Sequence, residues 1–148
     1  MAQAPTAREK VQIGGDEEAG TELKLGEFQD SPSLSLSAAR VLIDAVVTRR
    51  GEEEGRTSIV QEPILVKMRE YLDEFARFKE KSKVADLEAN LEDNFPELHS
   101  FERSQLVSLC CQDAEEAKTL IPSLANKLDD DRLQALLQDI NRARAVLE

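Results

Sequence analysis

Tryptophan is missing from this chain, tyrosine occurs once, and aromatic residues make up only 4% of 148 positions. So few rings make a poor sugar or base reader. Cysteine is nearly absent as well. Cys110 and Cys111 are the only two, and adjacent cysteines rarely bridge because the ring geometry is strained. No disulfide framework and no cysteine quartet for zinc can be assembled, which points to a reducing compartment. No long apolar run exists either. Nothing approaches the ~18 residues of a membrane span, and Ala2 to Gly20 lacks an apolar run of leader length. The expectation is a soluble nuclear or cytoplasmic chain with no membrane attachment.

Positive charge is the other shortage. Nineteen Lys and Arg stand against thirty Asp and Glu, a formal net of −11. Polymeric phosphate is repelled overall, so standalone sequence-specific DNA binding is disfavoured and a place inside a larger assembly is favoured. The length fits one domain and a tail.

What is present divides the chain in three. Residues 1–20 read as a disordered tail rich in Ala, Gly, Glu and Gln. Residues 21–58 read as an arm, a first helix and a linker. In the arm, Thr21, Leu23 and Leu25 alternate with Glu22 and Lys24, as in a strand. No second strand is evident in the rest of the chain, so this one is expected to add to a partner's sheet. From Leu34 the period turns helical. Leu34, Ala38, Val41, Leu42, Ala45 and Val46 form one stripe, with an end expected at Thr48 to Gly51 and an apolar-free linker over residues 51–58.

Residues 59–148 read as a helical domain. Pro63 opens a helix whose Ile64, Met68, Tyr71, Phe75 and Phe78 repeat at four and three, facing a core or a broad partner surface. Ser82 is expected to cap a helix carrying Val84, Leu87 and Leu91 that ends near Phe95-Pro96. Leu98 to Cys110 follows, with Phe101, Leu106, Leu109 and Cys110 inward. Asp113 and Glu116 make a capping-box-like start, Pro122 a stop, and Asp129 to Asp131 the start of a last helix through Leu133, Leu136, Leu137, Ile140, Val146 and Leu147. The fold class is all-α, five to six helices, with an arm that adds one strand to a partner.

No catalytic constellation emerges. A His99–cysteine nucleophile pair needs contact and an orienting third group, and the plainer reading is a helix-entry histidine and two core thiols. The aspartates at 129–131 lack the glycine and the bidentate glutamate of a calcium loop. Asp30-Ser31-Pro32 departs from the Asp-Ser-Leu of acyl carrier proteins at Pro32 and reads as a turn. Neither cofactor nor metal is expected. Arg77, Lys79, Lys81 and Lys83 form a basic cluster whose plain role is to complement a helix end; nucleic-acid contact by Arg77, Lys79 and Lys81 is the minor alternative.

Three blocks carry a family resemblance. They are Ala76-Arg77-Phe78-Lys79, then Leu98-His99-Ser100-Phe101-Glu102, then Ala114 to Leu124 with its Thr119-Leu120-Ile121-Pro122-Ser123-Leu124 ending, followed by Leu133 to Ile140. In order and spacing they resemble the family of the fourth subunit of eukaryotic RNA polymerase II, over residues 71–147. Leu23 to Phe28 matches more loosely, Cys111-Gln112 departs at a loop, and Glu92 to Pro96 looks like a short insertion. The resemblance implies a non-catalytic subunit with an HRDC-like bundle (named for a helicase and RNase D domain). It also implies a heterodimer with the OB-fold subunit seven and, through it, contact with the polymerase core. That pair forms the stalk beside the RNA exit channel, supports initiation and docks RNA-processing factors, with RNA contact mainly through the partner. The implied location is the nucleus, with shuttling to the cytoplasm left open. The equivalent stalk subunit of RNA polymerase III and a nucleic-acid-binding HRDC module are the alternatives. Leu23, Leu25, Phe28, Leu34, Val41, Leu42 and Val46 are the expected partner-facing residues.

Overall fold

The computed structural model describes residues 17–54 and 62–145. The tail reading over residues 1–16, the linker reading over 55–58, and the contributions of Val146 and Leu147 lie outside the described residues. Within them the chain is all-α, with six helices: α1 Leu36–Glu54, α2 Pro63–Phe75, α3 Lys81–Asn94, α4 Ser100–Leu109, α5 Ala114–Leu120 and α6 Asp130–Ala145. A two-strand antiparallel ribbon, β1 Glu18–Ala19 and β2 Leu23–Lys24, precedes them.

That ribbon corrects the expectation of a strand without an internal partner. Ala19 pairs with Leu23 and Glu18 with Lys24. A two-residue partner in an Ala- and Glu-rich stretch carries no alternation, so no periodicity could announce it. Past the ribbon, Gly26 sits at φ +56° and opens a 3₁₀ turn, Gly26–Phe28. A side chain is strained at that φ, and a Cβ there would also meet the Glu17 carboxylate.

α1 does not stop at Gly51 but runs through it to Glu54. Glycine costs a helix interior only about 1 kcal/mol, too little to end one by itself. Pro63 stands at the first position of α2, where its missing N–H is no loss. Phe78 lies beyond the end of α2 and is wholly buried, so it belongs to the bundle rather than to the helix's own stripe. Ser82 is not the cap of α3. Glu80 holds that position, and the Ser82 hydroxyl donates to its carboxylate. The Asn94–Phe95 end is as expected, with Arg132 stacked over the Phe95 ring at 5.1 Å.

α4 begins at His99, whose Nδ1 accepts the Phe101 amide while Glu102 accepts the His99 amide, a reciprocal capping box. It ends at Cys110 in the left-handed region, φ 50°. Leu109, expected inward, is exposed; Leu106 and Cys110 are buried as expected, and Val107 joins them on the buried face. Asp113 caps α5 through the Glu116 amide, and the Glu116 carboxylate reaches back one residue further than a strict box, to the Gln112 amide. Ile121 ends the helix and Pro122 starts a 3₁₀ turn. Asp129 accepts from the Arg132 amide at the head of α6, and Arg142 and Arg144 lie in its last turn.

The core lies among α3, α4, α5 and α6. Leu91, Leu98, Leu106, Leu124, Leu133, Leu137 and Ile140 are fully or almost fully enclosed there, with Ala38 reaching in from α1 and Phe78 from the α2–α3 connection. α2 has α1 as its principal neighbour, and its one buried side chain is Leu72.

Candidate interaction surface

Serines fasten the start of α1 to the bundle. Ser35 and Ser37 are completely buried. Ser35 Oγ caps α1 at the Ala38 amide and donates to Glu88, while Ser37 Oγ accepts the Phe78 amide. On the facing helix Ser100, Ser104 and Ser108 recur every four residues, and two of them accept amides of the incoming chain, Ser33 and Leu36. Small hydroxyl side chains on both sides allow close approach and satisfy backbone groups that burial would otherwise orphan. Further out, His99 clasps the arm: its Nε2 lies 2.9 Å from the Gln29 carbonyl, and the Gln29 side chain accepts the Leu25 amide.

Two of the family-like blocks meet at one buried carboxylate. Glu102 has no exposure, and its oxygens accept from the His99 amide, the Ser123 hydroxyl and the Lys127 ammonium. A buried charge satisfied by three donors, one of them cationic, fixes the relative setting of α4 and the Pro122 turn. It is a structural centre with no open face for a reactant.

The catalytic readings end on geometry. His99 and Cys110 flank opposite ends of a ten-residue helix, roughly 16 Å apart along its axis. Both thiols are free and buried, and burial pushes them up, Cys111 to about 11, away from thiolate chemistry. Among the described residues no cluster of His, Cys, Asp or Glu could hold a metal ion, and no helix is long and apolar enough to cross a membrane.

The exposed surface tells more. α1 and α2 form a helical hairpin laced along one side by ions, Arg40 to Asp73 at 2.6 Å and Arg69 to Asp44 at 3.0 Å. The Arg40 bond holds the Asp73 carboxyl below the usual carboxylate range. The other side is apolar. Leu42, Ile43, Val46, Val47 and Leu65 line a groove of about 230 Å³ between the helices. The single stripe expected on α1 is therefore two faces: Ala38 enters the core with Val41 against it, and Leu34, Leu42 and Val46 are exposed. In the arm Phe28 is exposed, and Leu23 and Leu25 are half-buried. Thus Phe28, Leu34, Leu42 and Val46 are open to a partner, and Val41 is largely committed inward.

α2 holds what periodicity could not decide. Ile64, Met68, Tyr71 and Phe75 all point to solvent, Ile64 at 75% exposure and Tyr71 at 54%. Its first half prolongs the apolar groove through Leu65, while its last two turns carry a ring pair, Tyr71 and Phe75, with centroids 4.7 Å apart. Beyond it, Arg77, Lys79 and Lys81 are exposed, and Lys83 is paired with Glu80 at 3.3 Å. Apolar patches of this extent on a small domain mark interaction surfaces.

Fold and surface together define an all-α domain, buried and polar-satisfied in its C-terminal half and apolar outside in its N-terminal half. The model of the RNA polymerase Rpb4 family matches residues 33–144. The chain is 43% identical over 129 residues to the DNA-directed RNA polymerase II subunit rpb4 of Schizosaccharomyces pombe, covering 86% of this chain and 93% of that protein. It is 44% identical over 72 residues to the RPB4 subunit of Saccharomyces cerevisiae, covering 49% of this chain and 32% of that longer protein. With subunit 4 of Arabidopsis thaliana the identity is 27% over 134 residues. The chain belongs to the RNA polymerase Rpb4 family, whose members are non-catalytic subunits of RNA polymerase II.

Proposed function

We propose that this chain pairs with the OB-fold subunit seven of RNA polymerase II, and that the pair forms the stalk near the RNA exit channel. In that place it supports initiation and docks RNA-processing factors, in the nucleus. The carrying observation is the apolar side of the α1–α2 hairpin, where nothing among the described residues covers Leu42, Val46 and the Leu65 groove. Burying such a face on a partner gains about 25 cal/mol per Å² of apolar surface removed from water, while leaving it bare invites aggregation.

The arm contributes a second contact. Leu23 and Leu25 pack on the partner, Phe28 and Leu34 follow as anchors, and an outer edge of the β1–β2 ribbon extends the partner's sheet. Because the ribbon already pairs within the chain, a hairpin rather than a lone strand is added. Val41 supports this face from behind. The relatives named above are all RNA polymerase II subunits, which favours that enzyme over polymerase III.

Co-expression with subunit seven, followed by size-exclusion chromatography with mass detection, tests the reading. A 1:1 heterodimer is expected, lost when Leu23 and Leu25 become aspartate and again when Leu42 and Val46 do. Two separate, well-behaved monomers would overturn it.

A further inference from the structure

We propose that Ser82 is a phosphorylation site for a protein kinase that selects basic residues ahead of its acceptor serine. Among the described residues Ser31 and Ser82 are the exposed serines; the others are buried or half-buried. Most of those join segments of the bundle: Ser35, Ser37, Ser100, Ser108 and Ser123 all bond to residues distant in sequence. Ser31 lies between Asp30 and Pro32, away from any cation in sequence. Ser82 differs sharply. Arg77 stands five residues before it, Lys79 three before it, and Lys81 and Lys83 beside it. Glu80 is the one acid within residues 76–84, a local net of +3 in a chain of net −11. Kinases that choose substrates by charge pair such cations with carboxylates along the peptide cleft.

The fold presents this segment in the shape a cleft takes up. Ala76, at φ −68° and ψ 121°, and Glu80, at φ −87° and ψ 122°, are extended. Side chains alternate between them. Ala76 and Phe78 are buried, and Arg77 and Lys79 are exposed. The Phe78 amide donates to the buried Ser37 hydroxyl at 3.0 Å, and Arg40 donates to the Lys79 carbonyl, which anchors the strand. A segment already extended loses less freedom on entering a cleft than a mobile one. Ser82 follows as the second residue of α3, so the first turn has to open for its hydroxyl to reach a nucleotide. Little resists that opening. No side chain caps α3, and the first amides of a helix lack intrahelical partners. The bonds to break are Ser82 Oγ to the Glu80 carboxylate at 2.9 Å and the Val84 amide to the Glu80 carbonyl at 3.1 Å.

The step is phosphoryl transfer from ATP. The Ser82 oxygen bonds to the γ-phosphorus, the bond from that phosphorus to ADP breaks, and the hydroxyl proton passes to the kinase's catalytic aspartate. Phosphoserine carries about −1.5 to −2 at neutral pH, which lowers residues 76–84 from +3 to about +1. The hydroxyl donor that now engages Glu80 is lost, and the phosphate repels that carboxylate. The positive end of α3 and the ammonium groups of Lys81 and Lys83 favour the new charge. Phosphorylation therefore removes most of the positive charge of the α2–α3 connection without touching the core.

The test incubates the folded full chain with ATP, Mg²⁺ and, separately, protein kinases A, B and C, which read basic residues around the acceptor. Tandem mass spectrometry then maps the phosphate. At least one kinase should modify Ser82, and Ser82→Ala should abolish that label. Arg77→Ala with Lys79→Ala should lower kcat/KM at Ser82 at least ~10-fold. The urea midpoint of that variant should stay unchanged, because both side chains are exposed. Three results would each overturn the proposal: no phosphate on Ser82 with any of the three kinases, phosphate on Ser31 or Ser58 in its place, or equal rates with and without Arg77 and Lys79.

Discussion

α6 and α2 carry equally regular apolar stripes, yet they meet opposite fates. Leu133, Leu136, Leu137 and Ile140 of α6 vanish into the core, while Ile64, Met68, Tyr71 and Phe75 of α2 stand in solvent. The spacing rule identifies which residues share a face and is silent on what covers it. α6 is covered because α3 and α5 lie against it. α2 turns its Arg69–Asp73 edge and Leu72 toward α1, and its apolar stripe lies to one side of that contact. Among the described residues nothing covers that arc.

Removing Glu102 should break the buried half most severely. Glu102→Ala returns the Lys127 ammonium to water but leaves the Ser123 hydroxyl and the His99 amide without their acceptor, at about 1–3 kcal/mol for each donor. A urea titration reads this as a lowered midpoint; an unchanged midpoint would mean the node is decorative. Leu137→Ala, with the leucine wholly enclosed, should cost about 2–5 kcal/mol. Ile64→Ser, at the same kind of stripe position on α2, should stay within about 0.5 kcal/mol of the parent. Similar losses from the two would erase the contrast between α6 and α2.

Smaller effects sharpen the picture of the hairpin. Asp44→Ala severs one half-exposed rung to Arg69 and should cost at most about 1 kcal/mol, fading in high salt. A larger loss would show that the ion ladder, rather than Val47 and Leu72, holds α2 in place. A further effect is confined to alkaline pH. Burial raises Cys111 from 9.0 to about 11, so between those values the unfolded thiol ionises while the folded one stays protonated. Stability is therefore full below about pH 9 and declines toward pH 11. Cys111→Ala should flatten that decline in a series of denaturation curves.

The helices were legible because their start and stop residues act locally. Pro63 at a first turn, Asp113 on the Glu116 amide, Asp129 on the Arg132 amide and Phe95-Pro96 at an end need only neighbours a few residues away. Where locality failed, the readings failed. Gly51 did not end α1, Ser82 ceded the cap to Glu80, and Leu109 turned outward where Cys110 takes the left-handed turn. The ribbon partner Glu18–Ala19 was invisible because two residues are too short to show a period. His99 was correctly a helix-entry residue, but its second bond, to Gln29 seventy positions away, belongs to the tertiary structure.

By itself, then, the sequence determined helix content, the positions of most caps, the absence of a thiol framework and an acidic exterior, all consequences of composition and short-range bonding. The three family-like blocks were equally legible, though not the reason two of them go together. Only the tertiary structure could decide that Glu102 joins Ser123 and Lys127, that serines seat α1 on α4, and that α2 keeps its apolar side outward. Those outcomes depend on which faces come into contact across long stretches of chain, and a face's partner is set by the packing of the whole bundle rather than by the residues that make the face.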